Sequence, residues 1–558
     1  MRRRLRRAVR KRTEGQRVAV RRSPKSPQLS VVVAVHNAGP YLEDCLRSLL
    51  SQSLTRLEVI AVDGGSTDGS LHILRQFAAL DQRVKVISLP DNGLAAARNA
   101  GIQQARGVFL TFVNPQDTVP RNAFALMVHS LRRSGSDFVV GAVQRVRNGR
   151  RMRPQWVVNV HQLDRISTTI DEFPAAMQDL AIFNRVFRTA FWHEQVGPFA
   201  EDSEHKDLLL TVTAYLRAAS FDILTAVTYR WHRRSDHASI VQERYDRTTM
   251  DERLPVLAAA WEVISTSTSE AVAGAWLGGV LDTDLGAYLE YATTGDDAYR
   301  SALQAIARHF FDLATPMAWE HVRVDRRLRV WLAVQGRWSV LEQCMEFFRL
   351  NGVIPTTRVS GGRVTADIPF SEALGDDTPD ICLELASSQT ALSACIERAF
   401  WDKSGCLVVE GWAFIRGVDL TETTPDLEAT LVEPVSGSQL CVPLEPLVLP
   451  EATRWANQPN QNFDTSGFRL TIDVAALPSI DPEAGVRRWT LQMRNRTHGV
   501  ERTGPVRTVI RSGMALRMRA RDLTAADDPV RFVPLADFDL GFSLQVRPDR
   551  IRAVHLSS

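Results

Sequence analysis

Four β-branched runs of this 558-residue chain are each followed by a cluster of small, acidic or amide side chains. His36-Asn37-Ala38-Gly39 follows Leu29–Val35 (LSVVVAV), and Asp63-Gly64-Gly65-Ser66-Thr67-Asp68 follows Leu57–Val62 (LEVIAV). Asp91-Asn92-Gly93 follows Val84–Leu89, with Arg98-Asn99 just beyond, and Asn114-Pro115-Gln116-Asp117 follows Val108–Val113 (VFLTFV). Any one of these loops is what turns and helix caps ordinarily contain. Four on one rim match the needs of a nucleotide. Carboxylates and amides bond base N–H groups and ribose hydroxyls, small residues admit the backbone, and an arginine or a cation offsets a diphosphate. On this reading His36, Asn37, Asp63, Asn92, Arg98, Asn114 and Asp117 line a single site.

The elements that must carry these loops follow from hydrophobic period. Gly39-Pro40 opens a helix with Leu42, Cys45, Leu46, Leu49 and Leu50 at helical spacing. Gly64 to Asp68 supplies a turn and cap for a second helix ending near Leu80. A third spans Leu94 to Ala105, and a fourth, Ala123 to Arg133, precedes a strand at Phe138–Val143. Strand and helix alternate with short loops, which predicts a doubly wound α/β sheet with ligands at the carboxyl ends of its strands.

The length calls for more than one core. Residues 1–27 read as a basic disordered tail, 28–245 as the α/β domain and 246–352 as helical. Residues 353–398 have the Gly, Pro and Thr content of a linker, 399–510 the short alternating strands of an immunoglobulin-like β-sandwich, and 511–558 those of a C-terminal β extension. In the sandwich, Trp412 on a strand and Trp455 in a loop are either core or platforms for sugar stacking. Within residues 1–25 lie twelve of the 67 Lys and Arg and one of the 64 Asp and Glu, so the remainder holds 55 basic against 63 acidic residues. Such an arm suits an anionic membrane surface. Nucleic acid is excluded as a partner, because no basic and aromatic pattern continues into the folded part. No apolar run is long enough to span a membrane and no apolar stretch follows the basic start, so the expected location is the cytoplasm, peripheral on the inner face of the cell membrane. The six cysteines form no C-x-x-C pair and read as reduced, buried thiols.

The stretch SVVVAVHNAGPYLEDCLRSLLSQSL…LEVIAVDGGSTDGS…NGLAAARNAGIQQARGVFLTFVNPQD resembles the nucleotide-sugar domain of family-2 glycosyltransferases, which adopt the GT-A fold. Further on, NRVFRTAFW, the acidic segment Glu201 to Asp207 and TAYLRAASFDILTAVTYRWHRR resemble the subset acting on wall teichoic acids and similar glycopolymers. The resemblance implies that Asp63 is the first acid of the family's Asp-Asp pair, on the nucleoside. It also implies that Asp207 is the general base of an inverting transfer from a nucleotide-sugar donor to a hydroxyl of a glycopolymer acceptor. In related enzymes such sandwiches also mediate oligomerisation, so the resemblance leaves two roles open for this one, polymer binding or assembly of a homo-oligomer.

The departures fall on acids. Gly64 stands where the family has a second Asp. Asn114-Pro115-Gln116 replaces the Asp-x-Asp that holds Mn2+ or Mg2+, leaving Asp117 at most as a metal ligand, and Lys206 replaces the Glu before the base. Amides are weak ligands for hard cations, so the metal is weakly supported, and Lys206, Arg98 or a weakly held Mn2+ or Mg2+ would meet the diphosphate. Two functions fit: a working transferase, or a catalytically impaired transferase fold serving as a glycopolymer-binding or scaffolding module.

Overall fold

The computed structural model describes residues 26–90, 93–147, 149–200, 207–232, 247–434, 436–477, 487–508, 521–525, 528–537 and 541–548. The chain divides into two compact units, residues 1–169 with 180–234, and residues 170–179 with 235–558.

The first unit is built on β1 (Leu29–Val35), α1 (Gly39–Leu50), β2 (Leu57–Gly64), α2 (Ser70–Leu80), β3 (Val84–Leu89), α3 (Gly93–Gln103), β4 (Phe109–Phe112) and α4 (Ala123–Ser134). Every residue of β1 and β2 is buried, as an unbroken apolar run requires of a parallel strand covered on both faces. Gly101 lets α3 press onto the sheet, because a Cβ there would lie 2.5 Å from Val32 Cγ1. Then come β5 (Phe138–Arg147), β6 (Arg150–Met152), α5 (Gln155–Val160), β7 (Arg165–Thr168), β8 (Arg185–Arg188), α6 (Asp207–Arg217) and β9 (Phe221–His232).

The strand order is β3-β2-β1-β4-β8-β5-β9-β7, with β6 on β5. The α/β expectation holds, with a mixed sheet. Strands β1 to β4 are parallel, but β8 enters antiparallel to both β4 and β5. Strands β5 and β9 therefore run in the same direction as β1 to β4, and all six end on one edge. Residues 221–232 form the single long strand β9.

The second unit holds helices from Arg247–Ser267 to Trp338–Asn351. Residues 353–398 are not a linker. Thr357–Ser360 and Arg363–Ala366 form a hairpin through Gly361 and Gly362, both at positive φ, and the first sandwich strand begins at Leu392. The turn composition that mimicked a linker belongs to a packed segment. Gln389 accepts from Val324 N at 2.8 Å and donates to Val353 O at 2.6 Å, and Gln461 donates to Pro355 O at 2.6 Å. Within 511–558, read as a β extension, the described residues are strands that join the sandwich. Gly541–Pro548 pairs with Arg487–Thr497, the spine of the sandwich's larger sheet, and Asp528–Asp537 and Arg521–Ala525 add to it in turn. Trp412 is core, packed with Phe414 and Phe463, while Trp455 is 50% exposed with its ring 6.1 Å from that of Trp412. Cys45, Cys344, Cys382 and Cys395 are buried, Cys406 is half-buried and Cys441 exposed. No described helix is long and apolar enough to cross a membrane, and the basic tail (residues 1–25) lies outside the described residues.

Candidate functional site

At the carboxyl edge the loops after β1 and β2 are stitched together. Asn37 sits at φ 47°, a left-handed conformation that asparagine tolerates. Its Oδ1 accepts from Thr67 N at 2.8 Å and its own N–H donates to Ser66 Oγ at 3.1 Å. Asp68 accepts from Gly39 N at 2.8 Å and from Ser70 Oγ at 2.6 Å. Burial would raise the Asp68 carboxyl, but those bonds outweigh it and hold the group below its usual range. His36 Nδ1 lies 2.8 Å from Gly64 O and so carries the proton, leaving Nε2 to accept from Asn37 Nδ2 at 3.2 Å. Between these loops stands Asp63, 1% exposed and in register with Val35. Its Oδ2 accepts from Ser66 N at 3.3 Å, while Oδ1 is buried with no partner. A buried carboxylate oxygen left unbonded is costly, and a ligand hydroxyl or N–H would satisfy it. A Cβ on Gly64 would meet only Val35 O, at 3.7 Å, so space does not explain the lost second acid.

The next loop brings in α3. Arg98 Nη1 donates to both oxygens of Asp207, at 2.8 and 2.7 Å, and its guanidinium lies 4.9 Å from the Phe199 ring centre. Asn99 closes a reciprocal pair with the Phe199 backbone at 2.8 and 2.9 Å. Two consecutive residues of α3 thus hold Asp207, the first residue of α6, and the Phe199 backbone. Arg98, read as a diphosphate ligand, is engaged with the candidate base instead.

After β4 the arrangement changes. Asp117 is 0% exposed, and its oxygens accept from Tyr229 OH at 2.7 Å, His232 N at 2.8 Å and Asn114 Nδ2 at 3.2 Å. Tyr229 OH also accepts from Asn114 N at 3.1 Å. Burial first, and the Asp117 charge second, push the Tyr229 hydroxyl and the Cys45 thiol well above their ordinary values. Asp117 therefore fastens the β4 loop to β9 rather than facing a ligand, which removes the last carboxylate read as a metal ligand. The donor set does not fit a hard divalent ion. Asn114 and Gln116 are amides, Asp117 is occupied, and no group of three or more His, Cys, Asp or Glu among the described residues is placed to share an ion.

Cations gather on this side instead. Gln144 and Val146 of β5 stand in register with Arg230 and His232 of β9, and Val146 also opposes Arg151 of β6. Opposed and alternate residues share a face, so Arg151, Arg230 and His232 lie on one face of three neighbouring strands. His232 Nε2 is 2.9 Å from Thr118 Oγ1, and Arg230 exchanges both backbone bonds with Thr118. Burial, then the Arg151 charge, lowers the Arg230 guanidinium. His232 is lowered by burial and then Arg230, with Asp44 opposing.

The edge thus collects His36, Asn37, Asp63, Arg98, Asn114, Asp117 and Asp207, although Asn114 and Asp117 serve the fold. Asn92 and Lys206 lie outside the described residues. Arg151, Tyr229, Arg230 and His232 were not singled out from sequence. The basic run NGRRMR and the end of TYRWHRR were the available signals.

Residues 30–189 match the family described as glycosyl transferase family 2. The uncharacterized glycosyltransferase EpsJ of Bacillus subtilis (strain 168) is 36% identical over 113 residues, 20% of this chain and 33% of that protein. The putative teichuronic acid biosynthesis glycosyltransferase TuaG of the same organism is 40% identical over 92 residues, 16% of this chain and 36% of its own length. The chain thus spans about a third of the length of these curated relatives. Among solved structures, the crystal structure of S. aureus TarS matches with a TM-score of 0.50 at 18% identity, over 94% of this chain and 86% of that one. That likeness is one of fold.

Proposed function

From a chain that carries a family-2 glycosyltransferase domain over residues 30–189, we propose a transferase that moves a sugar from a nucleotide-sugar donor to a hydroxyl of a cell-wall or surface glycopolymer, with inversion. The observation that carries this reading is the Arg98–Asp207 ion pair. It ties the candidate base to the helix that follows β3, on the same sheet edge where Asp63 holds an unbonded oxygen. Asp63 would take a hydroxyl or N–H of the nucleoside. Asp207 would accept the proton of the acceptor hydroxyl as that oxygen attacks the anomeric carbon in line, opposite the departing nucleoside diphosphate. Arg98 takes one lone pair from each Asp207 oxygen, so each oxygen retains another for the incoming hydroxyl.

A second reading rests on the same contact. A base already bonded to a guanidinium, at a site whose metal acids are lost, also suits a module that binds glycopolymer without turnover. Release of nucleoside diphosphate across a panel of donors, with a teichoic-acid-type acceptor, decides between them. The transferase reading expects turnover that Asp207→Asn lowers by about 10²–10⁴ while the fold is kept. Polymer binding without turnover on any donor would leave the module. The reading locates the chain in the cytoplasm at the inner membrane face, held there by its basic tail; anionic vesicles that fail to retain it would refute that part.

A further inference from the structure

The acids expected to hold a divalent ion are replaced or occupied, yet a departing diphosphate still needs positive charge. Arg151, Arg230 and His232 lie on one face of β6, β5 and β9, at the carboxyl edge and bonded through Thr118 to the β4 loop. Neither Arg151 nor Arg230 makes an ion pair with any described residue, and Arg230 Nε is buried without a partner. Asp44, from α1, is the acid whose charge reaches His232. Like charges held together with so little compensation destabilise a fold unless an anion joins them. We infer that the donor diphosphate is neutralised by this fixed cationic face, with Arg151 and Arg230 as its main ligands, and that the protein binds nucleoside diphosphates without a divalent metal. The inference rests on the transferase reading and specifies how its donor is held. Guanidinium forks match phosphate oxygens in pairs and cost no metal to assemble.

Calorimetric titration of the full chain with UDP, GDP, uridine and guanosine, first in EDTA and then in Mn2+, tests it. At least one diphosphate is expected to bind in EDTA, with Mn2+ changing its affinity by no more than about twofold. Arg151→Gln and Arg230→Gln should each weaken that binding about tenfold and leave the nucleoside unchanged. Arg151 is exposed, so its variant should fold even if the half-buried Arg230 variant does not. Diphosphate binding seen only with Mn2+, or parental affinity in the Arg151 variant, overturns the inference and leaves the transferase standing. A variant that loses affinity for poly(glycerol phosphate) but not for diphosphate also overturns it, assigning the face to an anionic acceptor. No binding of any nucleoside or diphosphate in either condition removes both readings.

Discussion

The two edges of the first unit's sheet treat buried polar groups in opposite ways. At the amino edge Glu58 is 4% exposed and fully partnered. Ser30 Oγ donates to it at 2.7 Å, Lys85 Nζ at 2.6 Å and Arg106 N at 2.8 Å, and Ser30 in turn accepts from Gly107 N at 2.8 Å. At the carboxyl edge Asp63 keeps an unbonded oxygen, and Arg151 and Arg230 have no described acid. A buried polar group without a partner is paid for elsewhere in the fold, so a satisfied edge reads as structure and an unsatisfied one as a site. Asp117 refines the rule. It lies on the carboxyl edge, but its bonds to Tyr229 and His232 give it the character of Glu58.

Removing Asp117 should therefore cost more stability than removing Glu58. Asp117→Ala strands the Tyr229 hydroxyl, the His232 N–H and the Asn114 amide, and a loss of about 3–5 kcal/mol is expected in chemical denaturation. A loss below that of Glu58→Gln would break the comparison. Glu58→Gln should cost about 1–3 kcal/mol, because the partly exposed Lys85 loses its ion pair while the shape is kept.

Asp63→Asn should change stability by less than about 0.5 kcal/mol, yet weaken nucleoside or nucleotide binding about tenfold. A large loss of stability with unchanged affinity would make Asp63 another structural acid. The smallest effect is in pH. Burial raises the Glu58 carboxyl, but Lys85, Ser30 and the Arg106 N–H outweigh it, so its folded value lies below the unfolded one. Its contribution is thus complete above about pH 4.3 and is lost as pH falls through the folded value. Melting temperatures measured from pH 6 to 3 should fall less steeply in Glu58→Gln than in the parent.

Much of the first unit was legible because its strands are apolar on both faces and its turns carry Gly, Asn and Asp at fixed places; Leu29–Val35 and Gly39–Leu50 are read directly from period. The short strand Arg185–Arg188 was not legible. Four residues with two arginines carry no strand signal, and only its neighbours β4 and β5 make it one. The same holds for the hairpin within 353–398, whose arms Thr357–Ser360 and Arg363–Ala366 are only four residues each.

Residue types and order along the chain determined the loops, the edge on which they gather and the loss of acids where a metal would sit. They could not determine which acid is free. Asp63 and Asp117 are alike in sequence, each following a buried strand in a polar loop. The difference was decided by Tyr229 and His232, more than 110 positions beyond Asp117, which bond it because β9 lies beside β5. Hydrogen bonding is short-ranged and directional. Its partners are therefore set by how distant strands are brought together, and that is fixed by the packed sheet rather than by local pattern.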